Sequence, residues 1–245
     1  MIHLQPLIGY PKYFGLDNIV KRAIRDKINL EKGGVDGILI ENTYDDPHKI
    51  FVEPETIACM TRIVNEIVKK TSLPVGLIVL WNDYKAAFSI ATITGAKFVR
   101  IPVFVDKVRT KFGDIICEPE KIIEFRKKIK AENVSLFTDI QVKHSEMLEN
   151  KPIQTSAKQS IEKGSDALIV TGKRTGDPPT TEKLQRVRNA AKKFPILVGS
   201  GSDTKNISEI LEYADGVIVG TALETNGFVD NKKVTSFVKA FHDCI

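Results

Sequence analysis

The sequence is poor in cysteine, with three in 245 residues. Cys59, Cys117 and Cys244 are odd in number, widely spaced and without a CxxC pair. That pattern excludes a disulfide framework and a zinc knuckle and leaves three expected reduced thiols. Long apolar runs are also absent. The longest, Val75–Trp81, is far below the ~20 residues that a membrane span needs. The opening MIHLQPLIGYP has no basic region followed by an apolar run, so a cytoplasmic protein without a membrane span is expected. There is no basic patch with interleaved aromatics, which argues against nucleic acid. No HxxxH or paired-histidine spacing suggests a transition-metal site. A weak Mg²⁺ site through carboxylates and a ligand phosphate stays open, and no other cofactor is expected.

What is present is ordinary globular material. Hydrophobic residues make up 42% and charged residues 27%, which supports a packed core. The net charge of +5 is spread through helices in which Lys and Glu alternate, as in KKIKAEN, and reads as solvated outer faces. The length fits one barrel of roughly 250 residues and is too short for two full α/β domains. Residues 1–245 are therefore read as a single domain. Association into a homo-oligomer is left open by the sequence.

One theme recurs along the chain: a short β-branched run, a polar or Gly-rich loop, then an amphipathic stretch. The runs are Ile2–Gly9, Gly37–Glu41, Val75–Asn82, Phe98–Val103, Val134–Lys143, Ala167–Gly172, Ile196–Gly201 and Val217–Thr221. The clearest helix is Pro54–Thr71, with Ile57, Met60, Ile63, Val64, Ile67 and Val68 on one face. Strict alternation calls for a parallel sheet with right-handed crossovers. Eight units with no lone GxGxxG loop after the first strand favour a closed (β/α)₈ TIM barrel over an open doubly wound sheet. The irregular pieces Asn42–Glu53, Phe104–Glu118 and Gly172–Thr181 each follow a strand, on the face where barrels build active sites.

Strand side chains alternate between barrel interior and helices. In the fifth strand Phe137, Asp139, Gln141 and Lys143 share the inward parity, against Leu136, Thr138, Ile140 and Val142. The same rule places His3, Glu41, Asn82, Arg100 and Thr171 inside, near strand ends. Charged groups in a core cost free energy unless paired, so the cluster reads either as a site or as a buried network in which Arg100 bridges Glu41 and Asp139. Asp139 and Glu41 are the candidate acid/base pair, with Arg100 and Lys143 as charge stabilisers. Asp139 and Lys143 are expected on one wall, about 13 Å apart at ~3.3 Å per residue. For Lys143 anion binding is the first reading, with a Schiff base or a reach to solvent as the alternatives. The seventh and eighth strands end in VGSGSDTKN and ADGVIVGTALE. There Gly199, Gly201 and Gly220, with Ser202 and Thr221, suit a phosphate held by backbone N–H groups near a short helix. Tight turns are the structural alternative for these glycines.

Several stretches together resemble the BtpA/SgcQ family: IHLQPLIGYP, GGVDGILIEN, LWNDYKAA, FTDIQVKHS, DALIVTGKRTG, VGSGSDTKN and ADGVIVGTAL. The resemblance covers nearly the whole chain and implies a barrel related to those that bind ribulose phosphate and other sugar phosphates. Cyanobacterial members are associated with photosystem I biogenesis, and bacterial members beside sugar-uptake genes are described as candidate nucleosidases. Carried over by position, the motif residues are Glu41, Asn42, Asn82, Asp83, Arg100, Asp139, Lys143 and His144. Two departures stand out. Pro102 and Val105 occur where the family usually reads an Asn-containing NV segment with a nearby Gly-Ala, and Leu223-Glu224 occurs where a Lys is common. The expected ligand is a phosphorylated small molecule, a sugar or a nucleoside-like compound, with His3, Asn42, Asn82, Gln141, His144 and Thr171 lining its site. The expected reaction is hydrolysis of an N-glycosidic bond or the proton abstraction of an isomerase or lyase. The alternative is a non-catalytic assembly or stability factor on an inherited barrel.

Overall fold

The computed structural model describes residues 1–116 and 118–244, so the thiol expected at Cys117 lies outside the described residues. Eight parallel strands form one curled sheet in chain order. They are β1 (Ile2–His3), β2 (Ile38–Glu41), β3 (Val75–Ile78), β4 (Phe98–Ile101), β5 (Ser135–Ile140), β6 (Ala167–Val170), β7 (Ile196–Val198) and β8 (Gly216–Val217). Every neighbouring pair is parallel. The seam between first and last strands is bridged by the Met1 nitrogen, which donates to Val219 O at 2.9 Å. Eight helices cover the outside: α1 (Leu16–Gly33), α2 (Pro54–Val68), α3 (Tyr84–Thr94), α4 (Pro119–Lys128), α5 (Ile153–Glu162), α6 (Thr181–Ala191), α7 (Ile207–Leu211) and α8 (Asn231–His242). This is the (β/α)₈ barrel that the alternation implies.

Local sequence explains the helices. Pro54 stands in the first turn of α2, where its missing N–H costs nothing. The apolar stripe of α2 then buries Met60, Ile63, Val64 and Ile67 in the main core. Asp83 starts α3 by accepting a hydrogen bond from Ala86 N at 2.9 Å, so this acid is a cap.

The strands are shorter than the apolar runs that announce them. β5 ends at Ile140 because Gln141 takes φ +47° and turns the chain out of extended geometry. Within the strands the parity holds. At the amino-terminal end of the barrel Phe98 and Phe137 point inward and stack with centroids 4.7 Å apart. Gly76 makes room for them, since a Cβ there would lie 2.2 Å from the Phe98 ring.

Two small β units sit on the ends of barrel strands. Lys107–Thr110 and Gly113–Ile116 form a hairpin to which Glu146–Met147 adds a third antiparallel strand. The hairpin lies within Phe104–Glu118, a stretch read as irregular, and its third strand lies outside it. The sheet has its own apolar cluster of Trp81, Val103, Val108, Ile115 and Val142 over the barrel mouth. The second unit pairs Glu224–Thr225 with Phe228–Val229 through Asn226 and Gly227, both at positive φ as a two-residue hairpin requires. Cys59 is buried and Cys244 exposed, both as free thiols.

Candidate active site at the carboxyl end of the barrel

Arg100 on β4 is buried in the barrel interior. Its Nε donates to Asp139 Oδ1 and its Nη2 to Asp139 Oδ2, both at 2.7 Å. The two side chains are 5% and 0% exposed. Such a bidentate fork satisfies a buried charge far better than a single contact. It also occupies both oxygens of Asp139. Gly199 on the facing loop lets the guanidinium pass, because a Cβ there would come within 3.3 Å of Nη2.

Above this pair a cavity of about 460 Å³ opens at the mouth, lined by Glu41, Arg100, Lys143, Ser202, Gly201 and Gly220 among others. A second space of about 430 Å³ beneath the hairpin sheet shares Glu41, Arg100 and Lys143 with it. Glu41, not Asp139, is the carboxylate on both walls. Its Oε1 accepts from Thr43 Oγ1 at 2.8 Å. Burial opposes its ionisation, but the charges of His3, Arg100 and Lys143 outweigh burial and hold the carboxyl below its ordinary value. Lys143 is lowered too, which for an amine favours the neutral form: burial, then the nearby Arg100 charge, push its ammonium below the usual lysine value.

The floor of the cavity on the β7–β8 side is main chain. The N–H groups of Gly201, Ser202, Gly220, Thr221 and Ala222 find no acceptor among the described residues. Ser202 is 3% exposed, and its Oγ is buried without a hydrogen-bond partner. The glycines are dictated by crowding as well as by access. A Cβ on Gly201, at φ +70°, would lie 2.1 Å from Pro178 N, and one on Gly220 would lie 2.6 Å from His3 Cε1. The two readings of these glycines, tight packing and open backbone, are therefore both realised. The expected helix terminus contributes little, because α7 spans only Ile207–Leu211 and begins downstream of Asp203.

Of the residues selected by parity or by the resemblance, Asn42, Asn82, Gln141 and Thr171 do not line this cavity, whereas His3 does. Asn42 is fully buried, with Oδ1 accepting from Leu80 N and Nδ2 donating to Asp45. Asn82 grips both backbone groups of Val103, at 2.8 and 2.9 Å. Gln141 donates its amide to Lys151 O, since its positive φ ends the inward parity. The same turn removes the common wall expected for Asp139 and Lys143. Thr171 is buried and accepts from Lys143 N, which fixes the lysine backbone. His144 stands at the rim with Nε2 accepting from Thr175 N at 3.2 Å. Burial and then Lys143 lower its pKa, consistent with a neutral ring. His3 pairs with Glu224 at 2.6 Å, so the residue standing where a lysine was expected is a carboxylate that braces the histidine. Thr43, Tyr44 and Thr175 line the cavity although parity cannot reach them, being on loops. Their only signal was the length of the loops after β2 and β6.

Among the described residues no three His, Cys, Asp or Glu side chains converge as metal donors. No helix is long and apolar enough to cross a membrane.

Comparisons with known proteins agree with this architecture. The chain is 35% identical to the photosystem I biogenesis protein BtpA of Synechocystis, over 98% of this chain and 86% of that protein. It is 31% identical to the sgc region protein SgcQ of Escherichia coli, over 99% and 92%. Among solved structures, N-(5'-phosphoribosyl)anthranilate isomerase of Pyrococcus furiosus matches with TM-score 0.59 and 17% identity, covering 89% of this chain and 94% of that one. Thiamine phosphate pyrophosphorylase of the same organism matches with TM-score 0.64 and 14% identity, covering 94% of each. At these identities the structures speak for the barrel alone. The model of the BtpA family matches residues 1–243, and the chain belongs to that family.

Proposed function

We propose that the protein is an enzyme acting on a phosphorylated sugar or nucleoside-like compound at the carboxyl end of its barrel. The observation that carries this reading is the buried, unpartnered Ser202 Oγ beside five free backbone N–H groups. These residues line the same cavity as Glu41, Arg100 and Lys143. A buried hydroxyl without a partner costs roughly 1–3 kcal/mol, and an anion with three acceptor oxygens would satisfy it, once the side chain turns toward the cavity, together with the N–H groups. Phosphate on that floor would place the rest of the ligand over Glu41.

In this arrangement Glu41 is the acid/base group and Arg100 the cation for developing negative charge, with Asp139 fixing the guanidinium. The assignment differs from the sequence expectation, in which Asp139 removes the proton. Its oxygens are both engaged by Arg100, whereas Glu41 lines open space. Two reactions fit: proton abstraction next to a carbonyl, and cleavage of an N-glycosidic bond with Glu41 positioning water. The first suits Glu41 better, because its lowered pKa keeps it an unprotonated base.

The test is a thermal-shift screen with sugar phosphates, nucleosides and nucleotides. A ligand at a hundred times its Kd should add about 2.7 kcal/mol of stability. Phosphorylated compounds should stabilise the wild type and lose most of that effect in Ser202→Ala. The competing reading, a non-catalytic factor, takes its support from the biogenesis role in the name of the Synechocystis relative. It would be favoured if Glu41→Gln, folded and stable, left the biological role intact.

A further inference from the structure

Most lysines that reach into the body of the protein are satisfied by acceptors. Lys151 Nζ donates to Val105 O and Asp106, Lys27 Nζ to Glu31 and Lys70 O, and Lys183 Nζ to Thr171 O. Lys143 differs. Its Nζ has a single long hydrogen bond, 3.3 Å to Thr175 Oγ1. Among the described residues no carboxylate lies within 4 Å of it. Its backbone is nonetheless fixed, with N–H donating to Thr171 Oγ1 at 2.9 Å. The side chain borders the phosphate-side cavity, the space beneath the hairpin sheet and a third opening at the rim of about 680 Å³. An anchored, half-buried amine without a counter-ion, facing open space beside a carboxylate, is the geometry of a nucleophile. Burial and the Arg100 charge add to the fraction of free amine.

We propose that Lys143 forms an imine with the carbonyl carbon of a sugar phosphate, an aldose or ketose whose phosphate rests on the Gly201–Ser202 and Gly220–Ala222 turns. This rests on the phosphate reading above and names the substrate class within it. The step balances without any further reagent. The Lys143 ammonium first passes a proton to solvent in the open cavity, and the freed nitrogen pair forms the N–C bond while the carbonyl π pair moves to oxygen. That oxygen acquires a proton from nitrogen, and a proton returns from solvent as the C–O bond breaks and water departs. The net change is carbonyl plus ammonium to protonated imine plus water. The cationic imine then draws electrons from the neighbouring carbon. Loss of a proton there is the isomerase or lyase chemistry that Glu41 can serve.

The test is reductive trapping. The wild type is incubated with dihydroxyacetone phosphate or ribose 5-phosphate and cyanoborohydride, and lysine peptides are quantified by mass spectrometry. Lys143 should be labelled several-fold faster than the exposed Lys205, because the phosphate-binding turns would hold the probe's carbonyl near the Lys143 amine. Inorganic phosphate should slow that labelling and leave Lys205 unaffected. Lys143→Arg should keep its thermal stabilisation by inorganic phosphate and lose the adduct. Labelling of Lys143 no faster than Lys205 with both probes would overturn the imine, as would labelling indifferent to phosphate. The phosphate reading is judged separately: it stands if inorganic phosphate stabilises the wild type, and falls if it does not, whatever the labelling shows.

Discussion

The two ends of the barrel interior are built by the same strands with the same parity, and they do opposite things. On β4, Phe98 faces the axis at the amino end and Arg100 one step higher; on β5, Phe137 and then Asp139 do the same. The lower step is a stacked aromatic pair over Gly76 that borders an apolar cavity of about 530 Å³. The upper step is a charged pair topped by a cavity of about 460 Å³ with charged and polar walls. One strand step of two residues, roughly 7 Å, separates packing from chemistry. Within the upper step a second contrast holds. Asp139 has both oxygens engaged by protein, and Ser202 has no partner at all. Burial of a polar group therefore does not by itself mark it as functional, and unused bonding capacity counts only for a residue that lines the cavity, since Ser160 Oγ on α5 is also buried without a partner.

The largest effect should come from breaking the satisfied half of that contrast. Asp139→Ala leaves Arg100 buried without its partner and should cost ~3–5 kcal/mol in urea unfolding. The double variant Arg100→Met with Asp139→Leu should recover most of this stability while abolishing turnover. Glu41→Gln probes the open half. Folding should be kept, and turnover of an identified substrate should fall about 10²–10⁴-fold. At the lower step Gly76→Ala inserts a methyl 2.2 Å from the Phe98 ring. It should cost about 1–3 kcal/mol of stability through overpacking, with little change in phosphate binding. Ser202→Ala should do the reverse: phosphate affinity drops about tenfold or more, since a hydrogen bond to a charged group is worth ~1.5–3 kcal/mol, and Tm holds or rises. The smallest effect concerns acid. The His3 hydrogen bond is the main cause that lowers Glu224 below its ordinary 4.5. Its contribution to stability is complete above pH 4.5 and is lost as pH falls through the lower folded value. Acid titration of Glu224→Gln should lack that part of the wild-type loss.

Much of this architecture was legible in the chain. Eight runs in strict alternation specify the barrel, and parity correctly put Arg100 and Asp139 inside because both lie within true strands. It failed at Gln141, where a positive φ follows the last extended residue, and nothing in FTDIQVKHS marks that turn. Asn82 followed from parity and Asn42 from the family resemblance, but residues just beyond a strand must also satisfy loop backbone, and both amides serve it. The choice between Asp139 and Glu41 depended on which carboxylate Arg100 takes, a matter of approach angle that spacing along separate strands does not encode. The hairpin over the mouth went unread because its strands, KVRT and GDII, are short and half polar.

The account turns on the free main-chain floor at the mouth, and amide NMR during titration with inorganic phosphate examines that floor residue by residue. Saturable shifts at Gly201, Ser202, Gly220, Thr221 and Ala222, weakened in Ser202→Ala, are the predicted result. Saturation with no movement of these amides, or shifts confined to exposed Lys173 and Arg174, would contradict it.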